Sequence, residues 1–100
     1  MERGSEGEFL LEGLLASEVK AQLLVLFRRN PGLIDEIDGI ARRVGKRKES
    51  VEVDLKGLVE IGVVSERRVG STAVFSLNGK RDAEVQQAVG SYLQGIKGNG

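Results

Sequence analysis

Up to residue 61 the apolar side chains of this chain recur every three or four positions. From Val63 onward they recur, once only, every second position. In "VVSERRVGSTAVFSLN" (63–78), Ala73, Phe75 and Leu77 alternate with Thr72, Val74 and Ser76, and Gly70-Ser71 supplies a turn. That spacing predicts two short strands joined as a hairpin. Helical periodicity returns after it, so the chain is predicted to be mainly α with one small β-hairpin, an α+β arrangement. With 100 residues, 40% of them hydrophobic, there is material for one domain and one ordinary core. The expected organisation is a flexible N-terminus over 1–7, a single domain over 8–97 that includes a C-terminal helix at 81–97, and a flexible tail at 98–100.

The helical segments carry their own punctuation. "EFLLEGLLA" (8–16) reads as a helical turn or two, interrupted by Gly13. Ser17 is an N-cap for "EVKAQLLVLFRR", with Glu18 in the first turn, Arg28 and Arg29 in the last, and "NPG" as the stop. A second long segment runs from about Asp35 to Val44, with Ile37, Ile40, Ala41 and Val44 on one face and Gly45 closing it. Gly39 weakens that helix by roughly 1 kcal/mol against Ala, for which close packing is the expected reason. A third helix, about Lys48 to Ile61, places Val51, Leu55, Leu58 and Val59 on one side, with Gly62 at its end. The last helix has a stripe of Val85, Ala88, Val89, Tyr92, Leu93 and Ile96.

The first long helix is apolar almost all round. Val19, Leu23, Leu26 and Phe27 form one stripe, while Ala21, Leu24 and Val25 lie opposite. Such a helix needs cover on two sides. The favoured source is a second copy of the chain, which pairs this helix with the last one. The expected dimer interface is therefore Leu24, Val25, Val85, Val89, Tyr92, Leu93 and Ile96. The alternative is an intramolecular helix pair.

Several chemistries are excluded by composition. The chain has no cysteine and no histidine, so disulfides, zinc sites built on thiolate or imidazole, and Ser-His or Cys-His nucleophiles cannot form. No metal and no cofactor is expected. The absence of cysteine fits a reducing cytoplasm. "LLVLF" (23–27) is too short to cross a bilayer, and "MERGSEGE" does not resemble a signal peptide. Asp35 with Glu36, and Glu52 with Asp54, are adjacent or two apart on helices and point in different directions, so neither makes an acid–base pair. No Walker pattern is present. The chain is not expected to be an enzyme.

Charge is balanced in total and uneven in place. The formal net charge is zero, which withholds the global field of a strongly basic nucleic-acid binder. Yet "ARRVGKRKES" (41–50) concentrates Arg42, Arg43, Lys46, Arg47 and Lys48, while Glu2, Glu6, Glu8, Glu12 and Glu18 crowd the first eighteen residues.

The order of helix, helix, helix and hairpin is that of a winged helix-turn-helix. "LASEVKAQLLVLFRRNPG" (15–32) resembles the first helix of ArsR-like and MarR-like regulators and of the small winged-helix domains found with nucleotidyltransferases. "IARRVG" (40–45) and "VEVDLKGLVEIGVV" (51–64) are similar to their turn and recognition helix, and "FSL" (75–77) to the aromatic-x-leucine that closes the wing. The resemblance covers about residues 15 to 78. It implies a winged helix-turn-helix with an additional C-terminal helix, DNA binding by the third helix and wing, and dimerisation through the flanking helices. The chain departs from those families in placing Glu52, Val53 and Asp54 where Ser, Thr, Arg, Gln or His is usual. It also has no residue able to stand for their metal ligands.

On that frame the basic run falls at the junction leading into the third helix, where the motif meets the DNA backbone. Cations there hold phosphates, and the helix face reads bases. At 100° per residue the outward face comprises Glu49, Ser50, Val53, Lys56, Gly57 and Glu60, with Glu52 and Asp54 on the flanks. Val53 suits a thymine methyl, Ser50 several bases, and Glu49 a cytosine amine. The expected DNA-binding set is Arg42, Arg43, Lys46, Arg47, Lys48, Glu49, Ser50, Val53 and Lys56, with Arg67, Arg68, Ser71 and Thr72 on the wing. The expected partners are double-stranded DNA and a second copy of the chain. A rival reading keeps the fold and docks the acidic third helix onto a protein partner.

Overall fold

The computed structural model describes residues 5 to 98, with side chains described as far as Ile96. Five helices and three strands follow one another as α1 (Glu6–Leu14), α2 (Glu18–Arg29), β1 (Ile34–Asp35), α3 (Ile37–Val44), α4 (Lys48–Ile61), β2 (Val64–Val69), β3 (Thr72–Leu77) and α5 (Gly79–Gly98). The fold is a winged helix-turn-helix with helices added at both ends.

Most of these boundaries are set by the residues read above. Ser17 Oγ accepts from the Lys20 N–H at 3.1 Å and opens α2. Gly45 stops α3 with φ of 68°, its N–H donating to Arg42 O and that of Lys46 to Ala41 O. A left-handed residue with those two bonds is a standard way to satisfy the last carbonyls of a helix, and glycine adopts it without a Cβ penalty. Gly70 does the same for the hairpin, where φ of 65° lets Val69 pair with Thr72 across two turn residues.

Three expectations are corrected. Residues 5 to 7 are not a frayed end: Ser5 Oγ accepts from the Glu8 N–H, Glu6 opens α1, and Gly7 is buried. Residues 1 to 4 of the expected flexible N-terminus lie outside the described residues, as do 99 and 100 of the tail, while Gly98 still belongs to α5. The segment that begins at Asp35 does not begin as helix. Ile34 and Asp35 form β1, antiparallel to β3, with Ile34 opposite Ser76 and Asp35 opposite Phe75, so the sheet order is β1-β3-β2. Two residues are too few to show a period, and their ladder partners lie some forty positions away.

One cluster forms the core. Leu23 and Phe27 of α2, Ile40 of α3, Val51, Leu55 and Leu58 of α4, Val63 just before β2, and Val64 and Phe75 of the sheet are buried together, joined by Leu10, Leu14 and Val85 from the terminal helices. Gly39 has the packing reason expected of it, since a Cβ there would run into the Asp35 carboxylate. That carboxylate is itself held by the Glu36 N–H at 2.8 Å and by Arg43.

The second cover for α2 comes from the chain itself. α1 packs principally on α5, and their apolar sides close over Leu24, which is buried. This corrects part of the expected dimer interface. Leu24 and Val85 belong to the core of the single chain and are not available to a partner, whereas Val25, Leu93 and Ile96 are exposed and Val89 and Tyr92 half-buried.

Candidate nucleic-acid interface

The helix-turn-helix places the whole basic run in solvent. Arg42, Arg43, Lys46, Arg47 and Lys48 are all exposed, as are Glu49 and Ser50 in the first turn of α4. They are not equally free. Arg43 pairs with Asp35 at 3.3 Å and Lys48 with Asp38 at 3.7 Å. Arg42, Lys46 and Arg47 make no ion pair among the described residues. Arg47 is the N-cap residue of α4 and makes no side-chain capping bond. The start of α4 therefore combines unshared backbone donors, the positive end of a fourteen-residue helix and three unpaired cations.

Of the four acids of α4, Asp54 is engaged elsewhere, while Glu49, Glu52 and Glu60 stay exposed. Asp54 turns towards α2, where Ser17 Oγ donates to its Oδ2 at 2.7 Å while still capping α2. One hydroxyl thus fixes the start of α2 and ties it to α4. Gly57, expected to face outward, is half-buried beneath Lys20: a Cβ there would meet its Nζ at 2.8 Å. The side chains left on the outer face are Glu49, Ser50, Val53, Lys56 and Glu60, all exposed.

Between α4 and the wing lies a cleft of about 340 Å³. Ile37, Leu55, Ala73 and Phe75 contribute apolar lining. Its rim carries Glu36, Asp38, Glu52 and Glu66 interleaved with Lys48, Lys56 and Arg68, and Ser71 and Thr72 stand at the wing end. With four acids against three bases, the opening presents neither sign strongly.

The wing separates two residues that the sequence reading grouped. Successive strand residues point to opposite faces. Glu66 and Arg68 line the cleft, so Arg67 is on the reverse face with Ser65 and Val69. Arg68 also donates from Nη1 to Ser71 O at 3.0 Å, which steadies it across the turn.

One conspicuous feature escaped the sequence reading. Arg28, assigned there to the dipole of α2, reaches α5 and grips Asp82, with Nε to Oδ1 and Oδ2 at 3.0 and 3.1 Å and Nη2 to Oδ1 at 2.8 Å. Gln86 Nε2 adds a further bond at 2.8 Å. Asp82 is the one buried charged residue among the described residues. Its partner lies 54 positions away, and no local spacing announces such a pair. Beside it, Leu11, Leu15, Val89 and Leu93 line an apolar trough between α1 and α5.

No family model and no curated protein matches this sequence. Solved structures do resemble it in shape. A possible transcriptional regulator for arsenical resistance superposes with a TM-score of 0.67 at 18% identity, covering 91% of this chain and 95% of the other. HlyU from Vibrio cholerae N16961 gives 0.64 at 19% identity, covering 87% and 92%. A possible transcriptional regulator from Methanosarcina mazei Go1 gives 0.65 at 14% identity, covering 92% and 83%. At these identities the likeness bears on the fold, and it agrees with the winged helix-turn-helix described above.

Proposed function

We propose that this chain is a DNA-binding transcriptional regulator that lays α4 in the major groove and its wing on the adjacent backbone or minor groove. The observation that carries the reading is the α3–α4 junction. There Arg42, Lys46 and Arg47, unpaired among the described residues, stand beside the uncapped start of α4. Cations and helix-terminal N–H groups at that point meet phosphate in the usual docking of the motif. The fold neighbours that carry regulator names support the same role. On the wing, Arg68 is the better placed cation, because it shares the cleft side with α4 while Arg67 faces away. Such a protein works where the DNA is, which agrees with the cytoplasm expected from the sequence.

The same reading includes a homodimer. The α1–α5 side leaves Phe9 74%, Leu15 64%, Leu93 47% and Ile96 53% exposed, and isologous pairing of that side covers the last three. Two α4 helices in one dimer then read half-sites about one helical turn apart.

Binding of a random-sequence duplex to the full chain, followed by anisotropy at several salt concentrations, tests the proposal. The logarithm of affinity should fall linearly with the logarithm of salt, with a slope of about −0.9 for each phosphate neutralised. Replacing Arg42, Lys46 and Arg47 together with Ala should flatten that line by about two to three units per protomer, roughly one for each phosphate no longer neutralised. No duplex binding at low salt would sink the reading. Docking of α4 onto a protein partner would then lead.

A further inference from the structure

Four exposed residues of α4 form a single outward row: Glu49, Val53, Lys56 and Glu60, at spacings of four, three and four. With 3.6 residues per turn, all four lie within about 50° of the direction opposite the buried row of Val51, Leu55 and Leu58. The first two occupy the N-terminal half of the helix, which is the half that reaches base edges in helix-turn-helix docking. They are also chemically odd for a groove walled by phosphates. Glu49 is an acid, and Val53 is an apolar side chain left 73% exposed.

The neighbouring acids lie on the two flanks of α4, one to each side of this row. Asp54 is bound to Ser17, and Glu52 lines the cleft together with Lys56 and Arg68. Glu49 has no ion-pair partner among the described residues. A carboxylate facing the groove gains only from a base donor. Adenine couples its N6 donor to the N7 acceptor, which repels a carboxylate, whereas cytosine presents its N4 amine alone. An aliphatic side chain beside it finds one apolar partner in the groove, the thymine methyl.

Resting on the DNA-binding reading above, we infer that α4 selects a cytosine through Glu49 and a thymine through Val53 in each half-site. The two side chains are one helical turn apart, about 6 Å along the axis. On a helix that follows the major groove, residues three or four apart reach successive bases, so the two bases lie next to one another. Glu49 and Val53 set specificity and leave affinity for backbone to the cations of the junction.

The test is selection of bound duplexes from a randomised pool by the full chain at physiological salt, followed by titration of the selected site. A cytosine and a thymine should be enriched next to one another. Replacing that thymine with deoxyuridine removes only the methyl and should weaken binding about four-fold, the worth of one buried methylene-sized group. Val53→Ala should abolish that difference between thymine and uracil. Glu49→Gln should move the selected base from cytosine to adenine, because an amide pairs with N6 and N7 together. Both substitutions lie on the exposed face and should leave thermal unfolding unchanged. Salt-dependent duplex binding with no base enriched at these positions, or with no response to uracil, would overturn the inference and leave the DNA-binding reading standing. If no duplex is bound at any salt, both fall together.

Discussion

The α3–α4–wing face and the α1–α5 arm put opposite kinds of side chain into solvent. On the first, a cluster of basic residues, a few acids and a single large apolar residue of α4 are exposed above a floor of fully buried leucine and valine. On the second, Phe9, Leu15, Leu93 and Ile96 project from a helix pair that meets closely at Gly7, and the Arg28–Asp82 ion pair ties α5 to α2. A polar face over a dense core can change its charges without consequence for the fold. An arm that packs mainly on itself cannot, because each close approach holds one helix to another. The difference separates a surface suited to a polyanion from one suited to a like surface.

The largest effect should come from beneath the polar face. Leu55 is 1% exposed at the centre of α4, and Leu55→Ala should cost about 2–5 kcal/mol in denaturant unfolding, as deep leucine truncations do. Because one cluster spans both regions, the arm should melt with the body. A loss below about 1 kcal/mol would mean that α4 is not anchored through this row.

A smaller and more local effect is expected at Gly7. A Cβ there would strike Ala88 O and lie 2.7 Å from Tyr92 Cβ, so α1 and α5 meet at glycine distance. In an open helix, Gly→Ala would stabilise by about 1 kcal/mol. Here Gly7→Ala should instead destabilise by about 1–3 kcal/mol, since the obstructing atom is backbone and cannot rotate away. Hydrogen exchange should accelerate in α1 and α5 before it does in α4. A stabilised variant would show that the two helices are not so closely packed.

The least change in stability should accompany the greatest change in assembly. Leu93→Glu with Ile96→Glu alters two exposed positions and should shift unfolding by no more than about 0.5 kcal/mol for each site in the isolated chain. Sedimentation should nevertheless show the variant as a monomer and the wild type as a dimer. A wild type that stays monomeric at high micromolar concentration would remove the dimer from the proposal and leave the winged-helix body intact.

The sequence by itself determined the elements whose cause is local. Ser17, Gly45, Gly62 and the Gly70-Ser71 pair mark ends and turns through their own hydrogen bonds or φ, and the four-residue recurrence of Val51, Leu55 and Val59 shows which face of α4 is buried. The position of the basic run before α4 followed from the same punctuation. Tertiary structure decided what depends on partners distant in the chain. β1 exists because β3 offers it a ladder, and Asp82 is tolerated in the core because Arg28 arrives from α2. Asp54, on the flank of α4, is held there because Ser17 has a proton to donate, and Arg68 rather than Arg67 meets the cleft because its side of β2 is the one turned to α4. Spacing along a helix says which side chains share a side. Which of those sides is already occupied is settled by other segments, and the charge that α4 shows to solvent is what those segments leave uncovered.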